Sequence, residues 1–156
     1  MLVLLSSNHY FYLKISLTHG IFFEIWLINK TSMKRIVAFG ASSSKKSINK
    51  ELAAYVASAV ADAEEVILDL NDFEMPIYSI DYENDYGIPD KAYKFKGILK
   101  NADGIVISFA EHNSVYTAAF KNIFDWISRV EKIVWYNKPM FLLSTSDGDR
   151  GAKTVL

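Results

Sequence analysis

Apolar residues recur along this chain with two alternating periods. Short, nearly continuous apolar runs at 36–39, 66–70, 104–109 and 139–144 predict four strands. The third is apolar and mostly β-branched, as expected of a strand covered on both faces. Helical spacing fills the intervals. In 47–61, Ile48, Leu52, Val56 and Val60 recur at steps of four, which predicts one apolar helix face, and alanines at 53, 54, 57, 59 and 61 raise helix propensity. Residues 90–101 predict a second helix. In 117–130, Phe120, Ile123, Phe124, Ile127 and Val130 share the apolar face of a third. Residues 71–89, with Pro76, Gly87 and Pro89, predict a long loop, and a helix is expected to begin at Gly151.

This alternation predicts an α/β fold: a doubly wound parallel sheet joined by right-handed crossovers. Such sheets bind ligands outside the carboxyl ends of their strands. Chemistry is therefore expected in the loops after the first, third and fourth strands. Residues 1–32 do not share the pattern. They hold two β-prone runs, 11–17 and 21–28, that predict a hairpin. Lys14, His19 and Glu24 interrupt the segment before about 18 apolar residues accumulate, so it does not predict a membrane span. It lacks a basic start and a small-residue cleavage site, so it does not predict a signal peptide. Met33-Lys34-Arg35-Ile36-Val37 is a common opening for an α/β domain. Residues 1–32 are accordingly expected to be a leader outside the core, with 33–156 as the domain.

Composition narrows the function classes. Of 156 residues, 51% are apolar and 22% charged, which excludes a disordered tail. With no cysteine, there is no disulfide framework, thiolate metal site or cysteine nucleophile; a reducing, cytoplasmic setting fits. The 17 basic and 18 acidic residues leave a net charge of −1, with no global basic field for nucleic acid or an anionic membrane. The charges are locally segregated. Residues 71–90 carry only acidic charges, and Lys91, Lys94, Lys96 and Lys100 follow, read as an acidic loop and a helix with a basic face.

The first loop, 40–49, joins a strand to a helix and contains Ser42, Ser43, Ser44, Ser47 and Asn49. Unpaired N–H groups at a helix start carry partial positive charge, and hydroxyls add donors, which together suit a phosphate. Helix capping alone needs one serine. The loop approaches a nucleoside-triphosphate P-loop at Gly40, Lys46 and Ser47, but Lys45 replaces its second glycine. The second loop is 108–114, with Glu111, His112 and Asn113; taken singly, each reads as a solvated surface residue. The third, 144–151, holds Ser146, Gly148 and Gly151, whose glycines permit close approach of a flat ligand.

Taken together, these motifs resemble the NAD(P)H-dependent FMN reductase family, flavodoxin-like proteins that include quinone, azo-dye and chromate reductases. The family's phosphate loop, G-S-x-R-x-x-S-x-N-x-x-L-A, is matched by Ser42, Ser47, Asn49, Leu52 and Ala53, with Ser44 where Arg is common and Lys45 or Lys46 as substitute cations. Its second loop and helix, P-E-Y-N-x-S-x-P-x-x-L-K-N-x-I-D-W, are matched by Glu111, Asn113, Lys121, Asn122, Asp125 and Trp126, with Ala110, His112 and Thr117 as replacements. Met75-Pro76-Ile77-Tyr78 resembles the family's L-P-L-Y turn.

The resemblance implies a flavodoxin-like, three-layer fold, bound FMN, and hydride transfer from NAD(P)H through the flavin to a small acceptor such as a quinone or free flavin. It implies that Ser42, Ser44, Ser47, Ile48 and Asn49 hold the phosphate, that Ala110, Glu111, His112 and Asn113 position the ring, and that Ser146 and Gly148 meet its pyrimidine edge. No protein general base is expected, because the flavin carries the chemistry. A homodimer or homotetramer is implied. The family continues past the point matching Leu156, so the last strand and helix are expected to be missing, leaving an exposed sheet edge. The competing expectations are an FMN-binding electron carrier or redox sensor without NAD(P)H turnover, a phosphate-loop nucleotide binder, and an inactive truncated product.

Overall fold

The computed structural model describes residues 13–16, 22–25, 33–148 and 151–156. The chain divides into two compact units, Met1–Ser32 and Met33–Leu156. In the first, strands β1 (Leu13–Ser16) and β2 (Phe22–Ile25) pair antiparallel, Leu13 opposite Ile25. They lie within the two β-prone runs. The remaining expectations for 1–32 fall outside the described residues.

The second unit is built on β3 (Lys34–Ala41), β4 (Ala63–Leu68), β5 (Gly104–Phe109) and β8 (Met140–Ser144), all parallel, in the order β4-β3-β5-β8. That is the arrangement of a flavodoxin-like sheet, with the topological switch between the carboxyl ends of β3 and β5. β5 is buried along its whole length, as its apolar run predicts. Val37, Phe39, Ile105 and Ile107 face helices α3 (Asp90–Lys100) and α4 (Ala118–Val130), while Ala38 and Val106 face α1 (Ile48–Ser58). The three layers follow from this alternation, since successive strand residues point to opposite faces. The larger core is aromatic: Phe95 meets Phe39 and Phe73 edge-on, with ring centres 5.6 and 4.8 Å apart.

Several elements differ from the sequence pattern. β4 begins at Ala63, earlier than its apolar run, because it is an edge strand that carries exposed Glu64 and Glu65. The expected loop 71–89 opens in a 3₁₀ turn that starts one residue before it, Leu70–Phe73, and contains a helix, α2 (Ile80–Tyr86), capped by the Ser79 hydroxyl and ended by Gly87 at φ 78°. α2 has no buried residue, so it leaves no apolar period to detect. The helix expected at Gly151 is a turn followed by a 3₁₀ segment, Lys153–Val155; Gly151 and Ala152 both take left-handed backbone (φ 57°), which breaks an α-helix. Lys96 does not join a basic face. It is 2% exposed, and its ammonium donates to the carbonyls of Glu131, Ile133 and Val134 beyond α4.

The largest reversal concerns α1. Its buried residues are Asn49, Ala53 and Ala57; of the expected face, Leu52 and Val56 are half-buried, with Val56 packed beside Ala53 and Ala57, while Ile48, and Val60 beyond the helix end, are exposed. The helix lies too close to the sheet for a face of large side chains. The approach is tightest at Gly40, where an added Cβ would stand 2.3 Å from the Lys50 backbone nitrogen and 2.7 Å from the Asn49 carbonyl carbon. Both obstacles are backbone, so a side chain there must push the helix away. Gly40→Ala is therefore expected to destabilise the fold by about 1–3 kcal/mol, the usual range for overpacking. Urea denaturation checks this; an unchanged midpoint would mean that Gly40 does not set the α1–β3 distance.

Candidate functional site

Three loops meet at the carboxyl edge of the sheet. The first, 42–47, leaves β3 and enters α1. The Ser42 side chain is buried, and its hydroxyl oxygen accepts from the Ser44 N–H at 3.1 Å. Ser47 is the N-cap of α1, with its hydroxyl accepting from the Lys50 N–H at 3.2 Å. Ser43, Ser44, Lys45 and Lys46 are exposed. The peptide N–H groups of Lys45, Lys46, Ser47 and Ile48 take no partner among the described residues. Unpaired donors at a helix start, with serine hydroxyls and two exposed lysines in the same loop, make a cradle whose chemistry suits an anion. Below it, Lys50 pairs with Asp69, which also caps the 3₁₀ turn by accepting from the Asn71 N–H at 2.9 Å.

The second loop is more ordered than expected. Residues 110–117 contain a small hairpin, β6 (Glu111–His112) against β7 (Val115–Tyr116). Asn113 and Ser114 form its tip in left-handed backbone, φ 53° and 66°, a turn that matches the twist of a hairpin. His112 and Asn113 are exposed, and Ala110 and Glu111 half-buried. The Glu111 carboxylate accepts from the Thr154 N–H at 3.3 Å, tying this loop to the end of the described chain. Tyr116 packs on Phe109 and Phe120. Buried Thr117 donates to the Ala41 carbonyl at 2.8 Å and caps α4 through the Phe120 N–H, so the hairpin is anchored to the end of β3.

In the third loop Ser146 is half-buried and Gly148 exposed; Asp149 and Arg150 lie outside the described residues. The Ser144 hydroxyl donates to the Gly151 carbonyl at 3.1 Å, which closes the loop on itself. Asn49 joins this loop to the first. Its side-chain amide donates to the Thr145 carbonyl at 3.0 Å, and its oxygen accepts from the Thr145 N–H at 3.2 Å and the Ser108 hydroxyl at 2.7 Å.

The structure thus brings Ser42, Ser44, Ser47 and Ile48 together at one cradle and sets Ala110, Glu111, His112, Asn113, Ser146 and Gly148 on the two neighbouring loops. Asn49 is buried beneath them. Sequence reading passed over Ser108 and Thr145, and took Thr117 as the start of a helix and the replacement of a family proline, not as an anchor to β3. Ser108 is the lone hydroxyl in an apolar strand, and that isolation was the available signal.

A family model described as NADPH-dependent FMN reductase matches residues 34–156. The chain belongs to this family. It is 35% identical over 119 residues to a 2-hydroxy-1,4-benzoquinone reductase of Burkholderia sp, covering 75% of this chain and 63% of that protein. It is 32% identical over 102 residues to an NADPH azoreductase of Bacillus sp. (strain OY1-2), covering 65% of this chain and 54% of the other. Among solved structures, FerB, a flavoenzyme NAD(P)H:(acceptor) oxidoreductase from Paracoccus denitrificans, superposes with a TM-score of 0.63 at 26% identity, over 78% of this chain and 66% of that one. The chain spans less than two thirds of the length of these relatives.

Within this FMN reductase fold, the α4 residues that match the family pattern have structural work. The Asn122 oxygen accepts from the Tyr78 N–H, and its amide donates to the carbonyls of Met75 and Pro76. The Trp126 indole, fully buried, donates to the same Pro76 carbonyl at 2.7 Å. Together they hold the segment 75–78 against α4. No helix among the described residues is long and apolar enough to cross a membrane.

The Lys50–Asp69 pair gives the scaffold a pH dependence. The Lys50 ammonium, with the Asn71 N–H second, holds the Asp69 carboxyl below its ordinary value. A depressed folded-state pKa adds stability that is complete above the unfolded value, about 4, and is lost as pH falls through the folded one. The stability gap between wild type and Asp69→Asn should therefore narrow between about pH 6 and pH 3. Thermal melts at the two pH values measure it; a gap that stays constant would remove Asp69 as the titrating group.

Proposed function

We propose that this chain is an FMN-dependent NAD(P)H oxidoreductase that reduces a small acceptor such as a quinone or free flavin. One observation carries the reading: an anion cradle of unpaired N–H groups and serine hydroxyls at the start of α1, flanked by two loops at the topological switch of the sheet. A nucleoside triphosphate fits less well, because the exposed Lys45 stands where a P-loop needs glycine. The relatives' names add quinone and azo reduction and the use of NADPH to the same reading.

The residues present suit FMN. The phosphate would lie on the N–H groups of 45–48 and the hydroxyls of Ser42, Ser44 and Ser47, with Lys45 and Lys46 supplying the charge that the family more often takes from Arg. Ala110, Glu111, His112 and Asn113 on one side, and Ser146 and Gly148 on the other, would bound the ring. When bound, FMN supplies two-electron chemistry, taking hydride from NAD(P)H and returning electrons to the acceptor. The protein's part is to bind and orient. Its serine hydroxyls donate to the anion, and its hairpin, anchored by Thr117, presents a fixed edge.

Residues 33–156 are the flavin-binding domain in this reading, with 1–32 outside it; the family match beginning at residue 34 supports that division. A cytoplasmic homodimer or homotetramer belongs to the same reading. Ile77, 86% exposed, and Ile80 offer apolar surface for self-association.

Purified protein is expected to be yellow, or to become so with added FMN, and to oxidise NAD(P)H in the presence of a quinone. Absorption spectroscopy and NAD(P)H consumption test this. Protein that takes up no FMN would overturn the assignment. Bound flavin that a partner protein reduces but NAD(P)H does not would instead mark an electron carrier. Lys45→Ala with Lys46→Ala should weaken FMN by roughly tenfold and riboflavin, which has no phosphate, hardly at all; equal loss of both would exclude the lysines as phosphate contacts.

A further inference from the structure

Asn49 stands in the phosphate-loop motif, yet its side chain is buried and engaged inside the protein. Its amide group pairs with both backbone polar groups of Thr145, accepting from the N–H and donating to the carbonyl. This pairing fixes the orientation of the amide, because a reversed group would set donor against donor and acceptor against acceptor. The oxygen takes a second donor, the Ser108 hydroxyl, itself fully buried in β5. Three segments therefore meet on one side chain: the first turn of α1, the end of β5, 59 residues on, and the first residue after β8, 96 residues on. The oxygen thus accepts two bonds and the amide nitrogen donates one, so three of the four hydrogen-bonding positions of the side chain are spent inside the protein.

We propose that Asn49 is a positioning residue: it holds the third loop in register with the phosphate cradle, so that the two halves of the binding site form one rigid unit. The proposal deepens the flavin-binding reading and rests on it. A residue of this kind acts on the whole ligand, since loss of the staple lets the third loop move away from the cradle. A residue that touches phosphate acts only on ligands that carry one. FMN and riboflavin differ by that phosphate and share the ring, so the pair separates the two roles.

The experiment titrates flavin-free wild type, Asn49→Ala and Ser108→Ala with FMN and with riboflavin, following flavin fluorescence, and confirms folding by circular dichroism. Asn49→Ala is expected to weaken both flavins by the same factor, about tenfold. Ser108→Ala, which removes one of the three bonds at small cost in volume, should weaken both by a smaller common factor and serves alone if Asn49→Ala does not fold. Loss confined to FMN would make Asn49 a phosphate ligand and overturn the proposal. Unchanged affinity for both flavins in a folded variant would also overturn it, leaving only a contribution to fold stability. In parallel, hydrogen exchange at the Thr145 amide is measured without flavin, and both substitutions should speed it. If wild type binds neither flavin, the flavin reading fails, and the exchange rate by itself decides whether Asn49 holds the loop: unaltered exchange would overturn the staple.

Discussion

Gly40 lets the first turn of α1 lie against the end of β3, and the rest of the carboxyl edge depends on that contact. A helix this close to a sheet tolerates only small residues beneath it, hence Ala53 and Ala57 inside and Ile48 at the surface. The same closeness buries Asn49 two residues past the N-cap, within reach of Ser108 on β5 and Thr145 after β8. It also holds the unpaired N–H groups of the helix start at the topological switch, where a ligand can meet them.

A second set of bonds fixes the other side. Thr117 ties the start of α4 to the Ala41 carbonyl, and Asn122 and Trp126 on the same helix hold the 75–78 segment. Lys96 closes the far end of α4 by donating to three carbonyls beyond it. Burial depresses the Lys96 pKa, and the carbonyl dipoles around the ammonium offset part of the desolvation cost. The loops at the carboxyl edge are thus mounted on elements held at both ends. That suits a protein whose part in the chemistry is to orient a bound group.

Much of the fold was legible because burial leaves periods in the sequence. β5, covered on both faces, reads as an unbroken apolar run, and α4 shows its core stripe plainly. Elements without a buried face leave no such mark. α2 buries nothing and reads as an acidic loop, and the first half of β4 is charged because it is an edge. The hairpin at 111–116 has two-residue strands, too short for a period, and its tip is Asn-Ser rather than a glycine turn. α1 misled in the opposite sense, since its large residues do recur at helical spacing but on the flanks of the contact.

The sequence by itself determined the alternation of strands and helices, the parallel doubly wound class and the crowding of hydroxyls after the first strand. These are local or periodic properties, written in neighbouring residues. Only the tertiary structure decided what Asn49, Thr117 and Lys96 do. Each has partners 35 or more residues away, and a polar residue's spacing says nothing about which distant peptide group it will meet. The division at the carboxyl edge, with Ser44 exposed beside the free N–H groups and the Asn49 side chain spent on Ser108 and Thr145, follows from how closely one helix packs on one strand.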